Sequence, residues 1–444
     1  MKKNRYFTNH LLTRDMKNEA ELQELVEAGL LTTDQAEQIR AYWAAKPNVG
    51  NQRLLVIFSL LGALLVGLGI ILVVAHNWDD LGRLSKTILV IIPVLIGQAA
   101  AWYSLRRKPE SAAWREGSGV FLTLSLGACL AMISQIYHID GRLSDFLLTW
   151  IWLAFPIMYV LNSGISSLLI WMGITWYACE TAYWSYPTEV AWQYWIFVLL
   201  TLPFYYFKIR QERANSNYQT FHDWFVPLSL VICLGTIGNE LVGYLWLIYH
   251  LALILFYVMG KYLLEQRSSI LSNGWLVIGL VGSIIMLLIQ SFRELWTEVP
   301  TSWANMEWQG PEFFVFLILN VLLLALLTLH DQRGGREWRT NPLCYLGLLI
   351  FFYYWVGWYD DMMGAVLANL LLLGIGLYHI FLGTQRDHLG ILNFGLLIIT
   401  FQIAFRFFDT EMSFALRGML FLLLGAGFFA ANSYIIRRRK SQQS

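Results

Sequence analysis

The sequence predicts an all-α, polytopic membrane bundle of about 14 transmembrane helices carrying a small cytoplasmic helical hairpin, and three observations support this. Composition is the first. Of 444 residues, 57% are hydrophobic, 16% aromatic and only 14% charged. A soluble domain carries about 25% charged residues, so this chain lacks the polar surface to cover itself in water. The second is the stretch 54–80, in which 22 residues pass without a charge before His76-Asn77-Trp78-Asp79-Asp80. At about 1.5 Å per residue that run spans the ~30 Å hydrocarbon core. The third is repetition, because the rest of the chain returns to this pattern with variations.

Residues 1–52 form a polar head. Asn18 with Glu21 marks one helix start, Leu22, Leu25 and Val26 share a face, and Gly29 supplies a stop. A second start falls at Asp34 with Glu37, Ala36, Ile39, Tyr42 and Trp43 making its stripe before Pro47 and Gly50. Two helices this short bury little alone. The expectation is a hairpin that packs on the membrane or the bundle as a cap, or that recruits a protein partner. The polar start argues against a cleavable signal peptide.

Residues 53–440 hold the bundle, with apolar segments near 54–76, 86–105, 117–138, 144–162, 164–183, 190–207 and 224–241 in the first half. The second half continues at 244–264, 271–292, 312–330, 342–358, 362–383, 389–407 and 413–436, leaving 441–444 as a cytoplasmic tail. Two divisions rest on little: Asn162-Ser163-Gly164 splits one pair of segments, and residues 239–243 split another. Charge placement supports both. With the N-terminus inside and strict alternation, the inner side takes 25 of the 31 Lys and Arg, as the positive-inside bias requires. Removing one helix from either doubtful pair would put later basic loops outside. Trp and Tyr near segment ends read as interfacial anchors. Small residues such as Gly67, Gly69, Gly374, Gly376, Gly425 and Gly427 permit close helix approach.

Polar residues at membrane depth are candidates for function, because ionisable groups there are costly unless paired or hydrated. The outer half collects His76, Asn77, Asp79, Asp80, Gln135, His138, Asp140, Glu240, Arg406 and Arg417, the candidate lining of an outward polar cavity. If the first and third helix ends meet, His76 and His138 with Asp79, Asp80 and Asp140 have the chemistry for a divalent cation or a proton relay. Capping and solvation of loop ends is the plainer alternative. Arg406 and Asp409 have ion-pair spacing, whereas Arg417 could hold a lipid phosphate or anionic substrate. Gln98, His250, Asn320, Asn369, His379 and Asn393 lie mid-span, either as interhelical hydrogen-bonding groups or along a translocation path, for which His250 and His379 are the candidates. The four cysteines lie in apolar runs without a C-x-x-C pair and read as buried small hydrophobes.

The head, reading L-x-x-L-V-x-A-G-L-L-T-x-x-Q-A over 22–36, and the subsequent G-A-L-L-V-G-L-G-I-I-L-V-V-A-H-N-W resemble an uncharacterised bacterial family of predicted polytopic membrane proteins. The resemblance covers roughly 20–140, and the ending from Arg417 looks like that of its longer members. It implies a bacterial inner-membrane protein, to which the charge placement adds that both termini are cytoplasmic, and it carries no catalytic residue with it.

The chain shows no G-x-S-x-G, H-E-x-x-H or Walker A motif, and its cytoplasmic loops are too short for an ATPase. No cofactor and no nucleic-acid partner are expected. The leading reading is a transporter- or flippase-like protein without an ATPase of its own. The alternatives are a membrane scaffold recruiting partners through the head and, third, an embedded enzyme acting on a lipid-linked substrate.

Overall fold

The computed structural model describes residues 25–45, 81–184, 189–211, 216–237, 242–264, 270–298 and 311–407, together with single positions elsewhere. The described structure is all-α, without a strand. The chain divides into two compact units, 1–86 and 87–444.

In the first unit, helix α1 (Thr33–Ala45) begins one residue before the expected start. Its capping box is Thr32 with Gln35 rather than Asp34 with Glu37. The Thr32 N–H donates to Gln35 Oε1 at 3.0 Å and the Gln35 N–H to Thr32 Oγ1 at 3.3 Å, satisfying two otherwise orphaned donors. Gly29, at φ 68°, makes the turn ahead of it, a left-handed conformation that glycine adopts without a Cβ penalty.

Helix α2 (Arg83–Arg107) crosses the boundary between units. The second unit continues with α3 (Ala112–Tyr137), α4 (Leu143–Leu161), α5 (Gly164–Cys179), α6 (Trp192–Gln211) and α7 (Asn217–Leu234). Then come α8 (Val242–Val258), α9 (Gly274–Gln290), the short α10 (Arg293–Glu298), α11 (Pro311–Gln332), α12 (Pro342–Leu348), α13 (Ile350–Tyr359), α14 (Asp361–Gln385) and α15 (Leu389–Phe407). Among the described residues, 7 helices are long and apolar enough to cross a membrane, or 8 if α12 and α13 form one bent span. Helix α9 and Leu389–Phe405 of α15 are shorter apolar helices. The expected first and last segments fall largely outside the described residues.

Both weakly marked divisions are real helix breaks. Helix α4 ends at Asn162, which turns left-handed at φ 50° and donates its N–H back to the last helical carbonyls. Ser163 then caps α5, its hydroxyl accepting from the Ser166 N–H at 3.1 Å. The second division separates α7, with its closing 3-10 turn Gly235–Ile237, from α8.

The segment expected over 342–358 is not one straight rod. It breaks between α12 and α13 with a bend of 72°. Pro93, Pro156, Pro203 and Pro227, in contrast, lie inside continuous helices, where packing in an apolar phase re-satisfies the freed carbonyls.

Polarity is distributed as in a membrane protein. Leu199, Val321, Leu370 and Phe381 are exposed, while Lys208, His222, Asp223, His250 and Asn341 are buried. Water would favour the reverse, whereas lipid favours an apolar outside and internally paired polar groups. Among the described residues three apolar clusters form, two of them large and the third a small one around Leu234, Ile237, Ile248 and Ala252. Leu147, Ile151, Met158, Trp171, Tyr194 and Phe197 belong to the first; Leu251, Ile254, Tyr257, Leu287, Tyr354 and Leu372 belong to the second.

Polar contacts between helix termini sort the second unit into two ends. At one end, Lys208 Nζ donates to the Asn162 carbonyl at 2.9 Å and Trp224 Nε1 to that of Leu271 at 2.8 Å. Asn341 Nδ2 reaches Tyr257 and Tyr262 at 2.8 and 3.0 Å. At the other end, Thr87 meets Tyr137 at 3.1 Å, Arg142 pairs with Glu189 at 3.1 Å, and Arg293 with Asp361 at 2.7 Å. Successive helices run between these ends. Arg106, Arg107, Lys108, Arg115, Lys208, Lys261, Arg333, Arg336, Arg339 and Arg386 all fall at the first, here called the basic end.

Candidate functional site

Within the second core a chain of polar side chains runs from the surface inward. Gln402 on α15 donates through Nε2 to the Asn369 carbonyl at 2.9 Å and to its Oδ1 at 3.2 Å. Asn369, on α14, donates to the Ser291 carbonyl at 3.1 Å, just past the end of α9. One residue earlier, Gln290 is 1% exposed and uses both ends of its amide. It accepts from Tyr353 OH at 2.9 Å and donates to Tyr354 OH. The Tyr354 hydroxyl also lies 3.0 Å from the Trp246 carbonyl and 3.5 Å from His250 Nδ1 on α8.

His250 ends this seam. It is fully buried, its ring stands edge-on to Tyr353 and Tyr354, and its Nε2 has no hydrogen-bond partner. An unpaired buried nitrogen costs about 1–3 kcal/mol.

The break between α12 and α13 explains how the two tyrosines arrive here. Gly347 on α12 lies against Ile254 and Leu323, one helical turn along α8 from His250. The bend after it redirects α13 so that Tyr353 and Tyr354 face Gln290 and His250. Broken helices beside buried polar groups recur at the midplane sites of secondary transporters.

The short helix α10 covers the far side of the network. Trp296 is 2% exposed, donates through Nε1 to the Gln290 carbonyl at 2.7 Å, and holds its ring centroid 5.7 Å from both Tyr353 and Tyr354. Gly357 on α13 and Gly364 on α14 face the indole, and a Cβ on either would collide with it.

The cavity residues expected from the sequence are placed only in part. His76, Asn77, Asp79, Asp80, Glu240 and Arg417 lie outside the described residues, as does the side chain of Arg406 on α15. Gln135, His138 and Asp140 lie together and exposed where α3 ends, with His138 left-handed at φ 53° and its Nδ1 2.9 Å from the Gln135 carbonyl. Among the described residues no group of three His, Cys, Asp or Glu is placed to hold a metal ion. Of the two path histidines, His250 joins the seam. His379, nearer the basic end of α14, bonds through Nδ1 to the Ile375 carbonyl at 2.8 Å and stands edge-on to Phe394. Asn320 bonds within its own helix at 2.9 Å, and Gln98 and Asn393 are exposed. Gln290, Tyr353, Tyr354 and Trp296 were not among the sequence candidates. Gln290 carried the one available signal, a lone amide at the end of an otherwise apolar segment.

The first core holds a second polar cluster, at the basic end. Glu116 on α3 accepts from the N–H groups of Gly164 and Ile165 at 2.8 and 2.9 Å and from Ser163 Oγ at 2.6 Å. This places a carboxylate at the positive N-terminus of α5. Asp223 accepts from Tyr205 OH at 2.5 Å, and Trp275 donates to the same hydroxyl at 3.1 Å. His222 uses both ring nitrogens, at 2.9 Å from the Tyr218 carbonyl and 3.1 Å from Ser167 Oγ.

These features define a helical membrane protein with several apolar helices and a polar seam inside its second core. Residues 23–167 match the family described as "Predicted membrane protein (DUF2157)", whose function is not known. That match bears out the resemblance read from the head and first segments. No curated protein matches the chain, and no solved structure does.

Proposed function

We propose that this is a transport-like protein of a bacterial inner membrane, whose path enters from the end opposite the basic one and reaches His250. In this reading about 14 segments cross the bilayer, the basic end and both termini are cytoplasmic, and no ATPase is attached. One observation carries it: a fully buried histidine with an unpaired Nε2 sits beside a bent helix, at the inner end of a five-helix polar seam. What singles this nitrogen out is its place at the end of a polar seam, where a path needs a group free to take a proton or a polar solute.

Accessibility tests this. In a background with Cys129, Cys179, Cys233 and Cys344 changed to Ser, Gln402→Cys, Asn369→Cys and His250→Cys should react with a charged, membrane-impermeant thiosulfonate applied outside intact cells. Leu370→Cys, on the exposed apolar face, should not. A seam wholly unreactive from outside would overturn the path and favour a scaffold. The observation on the side of that second reading is that residues 1–86 form a compact unit of their own, as a recruiting head would.

A further inference from the structure

We infer that α10 is the outer gate of this seam, with Trp296 as its plug and the Arg293–Asp361 ion pair as its clasp. The inference rests on the path reading and names what controls access to it.

Four features converge on α10. It is a single short helix between two apolar ones, yet its tryptophan is 2% exposed. The indole is not merely packed there; its N–H is spent on the carbonyl of Gln290, the residue whose side chain joins Tyr353 and Tyr354. Two glycines on different helices, Gly357 and Gly364, leave the space it occupies. Outside the plug, Arg293 Nε meets Asp361 Oδ2 at 2.7 Å, tying the first residue of α10 to the first residue of α14, with side chains 61% and 26% exposed.

The parts differ in how firmly they hold. An exposed ion pair contributes about 0–1 kcal/mol, so the clasp is easily released. The plug is held more firmly, by its hydrogen bond, by the rings of Tyr353 and Tyr354 and by burial in the second core, so it sets the barrier to opening. Because α10 spans only Arg293–Glu298, lifting it disturbs no transmembrane helix. Its removal would uncover Tyr353, Tyr354 and Gln290, and behind them His250 Nε2. The arrangement thus places a short separable helix over the side chains that lead to the unpaired His250 Nε2.

The test uses the full-length protein in intact cells, with His250→Cys in the background lacking native cysteines and the impermeant thiosulfonate as probe. Arg293→Gln releases the clasp without opening a hole and should raise the labelling rate at 250 by about tenfold, as a shift in a local opening equilibrium does. Trp296→Ala should raise it further, and Trp296→Phe, which restores most of the plug, should bring it back towards the starting rate. Labelling of Gln402→Cys should change little in any of these. If His250→Cys reacts equally fast with and without both substitutions, the gate is wrong and the path stands. If it stays unreactive even with Arg293→Gln and Trp296→Ala, the path itself is wrong.

Discussion

His222 and His250 are both wholly buried, on neighbouring helices of the same unit, yet they are treated in opposite ways. His222, in the first core, has each ring nitrogen within hydrogen-bond distance of an oxygen. His250, in the second, has one contact at 3.5 Å and one nitrogen with none. The surroundings differ in the same sense. Glu116 in the first half closes a helix end with three donors, whereas the second half contains the bent pair α12–α13, the inserted α10 and the seam. The first half leaves buried atoms of its own unpaired, Trp171 Nε1 and Trp195 Nε1 among them, but its histidine and its Glu116 are both satisfied. In the second, polar groups lie in line and one is left with capacity to spare.

The largest expected effect tests how each half is packed. A Cβ on Gly279 of α9 would strike the backbone of Tyr257 and Leu253 on α8, while one on Gly173 of α5 would meet only the Trp150 ring, at 3.0 Å, and the Ile151 side chain. Gly279→Ala should therefore cost about 3 kcal/mol or more and Gly173→Ala about 1 kcal/mol, since overpacking against backbone leaves nothing to yield. Thermal unfolding in detergent, monitored by size exclusion, would rank them. Next comes the histidine contrast itself. His222→Leu should lower stability by about 1–3 kcal/mol by stranding Ser167 and the Tyr218 carbonyl, whereas His250→Leu should be close to neutral. Equal losses in the same unfolding assay would break the comparison.

A smaller effect is expected at Glu116. Changing it to Gln keeps its size but removes the charge facing the α5 N-terminus, at a cost of about 1 kcal/mol; the readout is the shift in midpoint against wild type. The smallest concerns pH at the basic end. The Glu337 carboxyl is held below its usual range by its own backbone N–H and then by His330, 3.2 Å away. A depressed carboxyl contributes stability above its unfolded value and loses it as pH falls through the folded one. Wild type should therefore lose slightly more stability than Glu337→Gln on acidification through the carboxylate range. Parallel curves would remove Glu337 from the account.

Much of the architecture was legible because lipid leaves few choices. The separation of α4 from α5 comes from Asn162-Ser163-Gly164, since asparagine tolerates the left-handed turn and serine caps the N-terminus of α5. The gathering of basic residues at one end comes from alternation. The bend at Leu349 was hidden, because the nearby Gly347 reads as one more small residue in an apolar run that continues through it. The seam was half visible: His250, Asn369 and Gln402 stand out as polar residues in apolar segments. Tyr353, Tyr354 and Trp296 do not, because aromatic residues near segment ends look like interfacial anchors whether they face headgroups or a buried amide. Gly374, expected at a close approach, has nothing within 4 Å of a built Cβ, whereas Gly376, two residues on, meets Ile399. Composition marks such a stripe, and only helix phase tells which of its members touches.

The pairing of α14 with α15 carries one more consequence. Gly383 lies against the backbone of Leu392 and Gly395 against that of Gly376 and Ile380, so the two helices touch backbone to backbone at these points. Helices joined so closely have no lubricating layer on which to slide, so the hairpin can turn only as one stiff lever. One arm begins at Asp361, the anchor of α10, and the other carries Gln402. When the clasp opens, it is therefore α10 that moves, while the hairpin stands as a fixed post and Gln402 keeps its place.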